Sequence, residues 1–204
     1  DFCLSRGLGD VYKRQPPTLR AEDLSLEHMS SQARFRAIND QILSRRRGRP
    51  MELAIHGEDS LHLTHPDVML EAATTSFQTH LQVAASEGPA FFNAALAASA
   101  PVVAVAANSP LLFGKRLWQE TRIPLFEQGV ALAGGDASDD QSHRRVCFGS
   151  GYVKASLLEL FEENLAHYPS LLPADLSEQP AERLPYLCLH NGTIWRWNRP
   201  LLGF

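Results

Sequence analysis

The stretch 74–83, TTSFQTHLQV, restricts the fold more than any other, because its side chains alternate without a break. Thr75, Phe77, Thr79, Leu81 and Val83 fall on one side, and Thr74, Ser76, Gln78, His80 and Gln82 on the other. Successive side chains of a strand point to opposite faces, so the segment predicts one row that packs under helices and one row of neutral hydrogen-bonding groups. An antiparallel strand with a wet back would alternate in the same way. The polar residues argue for more than solvation, since amides and imidazole offer donors and acceptors without a fixed charge, whereas ordinary wet faces are rich in Lys, Glu and Thr. Such a row suits a polar ligand, with Gln78 and His80 facing an open concavity.

The 204 residues suffice for one domain with a good core, and apolar and charged fractions of 44% and 21% exclude a disordered or fibrous chain. A net charge of -4 gives no general field for nucleic acid or an anionic membrane, so any phosphate must be met by local Arg groups, and the expected partner is a small molecule. Cys3, Cys147 and Cys188 are odd in number and far apart, with no CxxC, which fits a reducing cytoplasm. His62 and His65 form one close pair but lack further ligands of suitable spacing, so solvated loop positions are expected for them.

Residues 1–15 show neither a signal-peptide core nor an amphipathic period, and RGLGDVYKRQ resembles translated adapter read-through, so residues 1–15 are expected to be a non-native leader. The spacing of Leu26, Met29, Ala33, Ala37, Ile38 and Ile42 predicts a helix over 26–47 with Ser25 as N-cap, ended by Arg45, Arg46, Arg47 and Gly48. Short β-like runs at 51–55 and 61–64 read as a hairpin. The run 88–107 is long and apolar, but Asn93, Ser99 and Pro101 interrupt it and no aromatic or basic anchors flank it. It reads as a helix buried beneath a sheet and kinked or divided at Pro101, not as a membrane span. Residues 134–145 read as a polar, mobile loop. Val153, Leu157, Leu160, Phe161 and Leu165 mark a further helix that ends before Pro169, and Asn191-Gly192 marks a turn before a last strand.

Chemistry could sit at three further places. Asn108-Ser109-Pro110 and Gly114-Lys115-Arg116 combine a Gly with two cations, though without the P-loop spacing, so a surface loop is the plainer reading. Arg122 lies among apolar neighbours, where a salt bridge or recognition of a carboxylate or phosphate would each explain it. On a regular strand Trp195, Trp197 and Arg199 share one face and Arg196 and Asn198 the other, giving either packing or a flat wall for a ligand.

The motifs EAATTSFQTHLQV, ANSPLLFGKRLWQETRIPLFEQ and NGTIWRWNRP, in this order, resemble the second family of glutamate-cysteine ligases and related carboxylate-amine ligases, over about 17–204. The resemblance implies an α+β fold like that of glutamine synthetase, a curved antiparallel sheet with helices packed on one face, here incomplete at both ends. Residues 16–204 would then be part of a catalytic domain. It also implies ATP and Mg2+, phosphorylation of the glutamate side-chain carboxylate, and attack by the amine of cysteine on the acyl phosphate. By position in the motifs, Arg122 and Arg199 are the catalytic cations, Gln78, His80, Asn108 and Trp197 bind substrate or nucleotide, and Glu71 is the one carboxylate placed to meet metal. The family's acidic first strand does not appear before residue 26, so the chain is expected to be an interior fragment, inactive alone. The alternative is a noncatalytic ligand-binding or interaction domain that keeps the sheet and its Arg groups.

Overall fold

In a strand whose odd positions are Met51, Leu53 and Ile55 and whose even positions are Glu52, Ala54 and His56, the pleat separates an apolar row from a polar one. The computed structural model, which describes residues 18–76, 78–132 and 144–201, places these three apolar side chains in the core and leaves the other three exposed. This strand, β1 (Met51–His56), pairs antiparallel with β2 (Ser60–His65) in a register running from Met51↔His65 to His56↔Ser60. The expected hairpin is therefore present. Gly57 is required at its turn by a close backbone approach: a Cβ there would stand 2.4 to 2.5 Å from the Cα, carbonyl carbon and oxygen of Leu117.

Helix α1 (Ala33–Arg45) buries Ile42 and Asn39, and the Asn39 carbonyl accepts the Val68 N–H at 3.2 Å. Ser25 and Leu26 belong to a separate 3₁₀ turn, Leu26–His28, so the helix starts later than its apolar spacing predicted and Ser25 makes no side-chain cap. The basic run does end it: Arg47 and Gly48 both take positive φ (56° and 72°), and Arg46 folds inward to donate to the carbonyls of Arg49, Ala131 and Pro50. His65 is equally absorbed by the fold, with Nε2 donating to the Leu24 carbonyl at 2.9 Å.

Beyond the hairpin lie a 3₁₀ segment, Val68–Ala73, the long helix α2 (Gly88–Ala106), the two-residue hairpin β3 (Leu111–Leu112) and β4 (Lys115–Arg116), and helix α3 (Arg122–Gly129). Helix α3 packs on β1 and on the 3₁₀ segment. Its Gln128 amide brackets Ala54, accepting the backbone N–H at 2.7 Å and donating to the carbonyl at 3.2 Å. In the last part β5 (Val146–Cys147) pairs parallel with β6 (Trp195–Arg196), and helices α4 (Leu158–His167) and α5 (Pro185–Asn191) lie between them in sequence. Asn191-Gly192 closes α5 before the last strand. The class is α+β as expected, although the described strands form three two-stranded pieces and no continuous curved sheet.

Two expectations are corrected. The described residues of 74–83 form no strand: Gln78, Thr79, His80, Leu81 and Gln82 are exposed, Leu81 at 64%, while Phe77 lies outside the described residues. Alternation makes a strand only where a neighbour takes up the backbone groups, and here the outer edge of β1 is occupied by the Gln128 amide at Ala54. Helix α2 is not buried under a sheet. Gly88 and Phe92 are its buried residues, Phe92 packing with Val153 and Leu160, whereas every residue of 100–106 is exposed. The helix runs through Pro101 undivided and is long and apolar enough, by length and composition, to cross a membrane. The leader 1–15 and most of the polar loop 134–145 also lie outside the described residues.

Replacing Gly57 by Ala forces a methyl against the Leu117 backbone, which no side-chain rotation relieves, and is expected to lower unfolding free energy by about 1–3 kcal/mol. Urea denaturation measures this; a loss under about 0.5 kcal/mol would mean that the two turns separate freely.

Candidate functional site

The N-terminus of α3 gathers the polar groups that sequence placed in different motifs. Arg122 is its first residue, and its guanidinium reaches three segments at once. Nε and Nη2 donate to the two carboxylate oxygens of Glu120, each at 2.6 Å. Nη1 donates to the Thr75 carbonyl at 2.7 Å, and Nη2 also donates to Asn108 Oδ1 at 3.2 Å. One donor on Nε, two on Nη2 and one on Nη1 make four of the five N–H groups a guanidinium carries. The turn around Asn108 is itself pinned: the Ser109 N–H donates to the Gln119 carbonyl and the Thr121 N–H to the Ser109 carbonyl, both at 3.0 Å. Arg122 and Asn108 thus meet directly.

Gln78 and His80 follow two short steps after Thr75 and touch each other, His80 Nε2 lying 3.2 Å from Gln78 Oε1, with both side chains open to solvent. They were expected on one face of a strand. Here they stand on an irregular polar segment, and the nearby Thr75 carbonyl is held by Arg122.

One turn along α3, Phe126 receives both indoles of the last strand, with ring centroids at 6.2 Å for Trp195 and 5.7 Å for Trp197. Arg196 points the opposite way, buried, its Nε donating to Asn164 Oδ1 at 2.8 Å and its Nη2 3.0 Å from Glu163 Oε1. Asn198 donates to the Phe92 carbonyl at 3.0 Å. The strand itself covers only Trp195 and Arg196, which face opposite ways, and residues 197–198 form a bend after it. Trp197 also hydrogen-bonds the Glu127 side chain; burial pushes that carboxyl up, against the Arg144 charge and the indole N–H, which both pull it down. Arg199 is half-buried and makes no ion pair or hydrogen bond among the described residues, and desolvation lowers its affinity for its proton.

Glu71 sits on the Val68–Ala73 turn, near Gly129 of α3, and burial pushes its carboxyl up to about 7. Magnesium draws on several oxygen ligands, and no group of three His, Cys, Asp or Glu side chains gathers among the described residues. A lone desolvated carboxyl does not fit such a site.

In the β3–β4 hairpin, Arg116 forms an exposed ion pair with Glu58. Two clefts lie apart from the site: one of about 490 Å³ is lined by residues 18–21 with Phe113 and Gly114, and another of about 220 Å³ lies between residues 150–154 and α4. Glu120, Glu127 and the Thr75 carbonyl were missed from sequence. A carboxylate two residues before an Arg faces away from it on a helix, so only the fact that α3 begins at Arg122 makes the pair possible.

At the start of α3, then, a cation bonded to a carboxylate, an amide and a backbone carbonyl lies one turn from the indoles of Trp195 and Trp197. The profile of glutamate-cysteine ligase family 2 matches residues 16–145, and the chain belongs to that family. The matched stretch takes in Glu71, Gln78, His80, Asn108 and Arg122, and stops before Trp197 and Arg199. No curated protein and no solved structure matches the chain.

The folded protein holds the Glu71 proton more tightly than the unfolded chain does. Its charge therefore costs nothing below about pH 4, costs progressively more as pH rises to about 7, and costs the full amount above that. Glu71→Gln is expected to stabilise at pH 8 relative to pH 4, by no more than roughly 3 kcal/mol. Urea melts at the two pH values test it; an equal difference at both would mean an ordinary carboxyl.

Proposed function

We propose that this chain supplies binding and orienting groups for an ATP-dependent ligation of the glutamate side-chain carboxylate to an amine, with cysteine as the amine. The observation that carries the reading is family membership over a stretch containing the Thr75–Asn108–Arg122 junction, because the family stands for ATP-dependent carboxylate-amine ligation in general. The reaction needs little covalent help from protein. A carboxylate oxygen displaces ADP from the γ-phosphoryl group, the amine attacks the resulting acyl phosphate, and phosphate leaves as the amide forms. What the protein must supply is alignment of two anions and a nucleophile, and charge against the phosphates.

In this reading Arg199, which has no ion pair or hydrogen bond among the described residues, takes a phosphate or substrate carboxylate. Arg122 contributes its charge and its one remaining N–H, while Gln78, His80 and Asn108 meet the polar ends of the amino-acid substrate. Trp197 walls the site. Since Glu71 alone does not fit a magnesium site, no role for the metal ion is assigned to these residues. A glutamine-synthetase-like curved sheet, a cytoplasmic setting and small-molecule partners, with no nucleic acid or membrane, belong to the same proposal.

The test is phosphate release and γ-glutamylcysteine formation by the gene product that carries this chain, with glutamate, cysteine and ATP each omitted in turn. Arg199→Lys keeps the charge but loses the forked donor geometry and is expected to lower kcat/KM by at least about tenfold, or roughly 1.4 kcal/mol, with unchanged thermal stability. A fully active Arg199→Lys protein removes Arg199 from the site, and a wild-type protein that releases no phosphate with glutamate and any of a panel of amines defeats the ligase reading.

A further inference from the structure

Arg122 and Glu120 form a planar two-bond pair in which both partners are largely withdrawn from water, with side-chain exposures of 24% and 13%. A guanidinium held along its Nε–Nη2 edge cannot rotate about its own axis, so the directions of its remaining N–H groups are set by the carboxylate. Those groups hold the Thr75 carbonyl and Asn108 Oδ1. Glu120 is in turn fixed by the chain around it: it bridges Ser109, and Thr121 Oγ1 donates to the Trp118 carbonyl at 2.9 Å. Among the described residues an incoming anion would find one N–H of Arg122 without a partner unless it displaced Glu120.

We propose that Glu120 is a positioning residue: it fixes the Arg122 guanidinium, which then anchors the segment carrying Gln78 and His80, through Thr75, against the Asn108 turn. The kinetic arm of this proposal rests on the ligase reading; the structural arm does not. A structure-only role for the pair would show as general loss of stability, whereas positioning should act on one segment and on substrate affinity.

The experiment compares wild type with Glu120→Ala and Glu120→Gln by NMR and kinetics. In Glu120→Ala, backbone order parameters at residues 75, 76 and 78–82 are expected to fall below about 0.6 while those of β1 and β2 stay in the rigid range near 0.85. KM for glutamate should rise at least about tenfold with kcat changed less than threefold, since binding and not the chemical step is affected. Glu120→Gln, which keeps one acceptor, should fall between. Unchanged order parameters at 75–76 and 78–82, or an equal fall in the hairpin, overturns the proposal. If wild type forms no amide, the ligase reading fails and the order parameters still decide the anchor.

Discussion

Backbone groups that leave water must find partners, and sheets only two strands wide leave an outer edge on every strand. The described structure meets this demand with side chains. Gln128 brackets both backbone groups of Ala54 on β1, and Asn93 does the same for Val153, accepting its N–H at 2.9 Å and donating to its carbonyl at 2.8 Å. An amide has the donor and acceptor of a peptide unit, so Gln128 stands at the edge of β1 where a further strand would pair, and Asn93 does the same service for a loop residue. The position of α3 against β1, and of α2 against the loop before α4, follows from these contacts. The site depends on the first of them, because the helix docked by Gln128 begins with Arg122.

Buried guanidinium groups do related work at carbonyls. Arg46 serves three carbonyls at the end of α1, and Arg145 serves those of Thr193 and Pro169, with burial pushing Arg145 down to about 10. In both, backbone carbonyls take several of the guanidinium N–H groups, and Arg145 also donates to Thr193 Oγ1 and lies over the Tyr168 ring. Carboxylates play the opposite part on α4: Glu159 takes the N–H groups of Lys154, Ala155 and Ser156, which holds its carboxyl below the usual range, and Glu163 takes that of Ser150. The site differs in kind, for there a cation, a carboxylate, an amide and a carbonyl meet in one cluster.

Sequence made the local elements legible and left the distant pairings hidden. The β1–β2 hairpin, the basic end of α1, the helix around Leu160 and the two-faced strand at Trp195 all follow from spacing within a few residues. The segment 74–83 did not, because alternation states which side chains would share a face but not whether another strand is there to pair with it. Helix α2 was misjudged for a similar reason: apolar composition shows what a helix could bury, not what is present to cover it. Of the site, the motifs placed Asn108 and Arg122 together, but the donors Arg122 had left depended on Glu120, whose role is fixed by where α3 starts.

The β5–β6 pairing joins Val146 to Trp195 and Cys147 to Arg196 across the whole of α4 and α5. Such a contact closes a long loop for two residue pairs, so its entropic cost is met only when the intervening helices have already docked. The β1–β2 hairpin closes a loop of three residues and carries no such debt. Loop closure is thus cheap for the hairpin and costly for the β5–β6 pairing that brings Trp195 to the indole wall on Phe126.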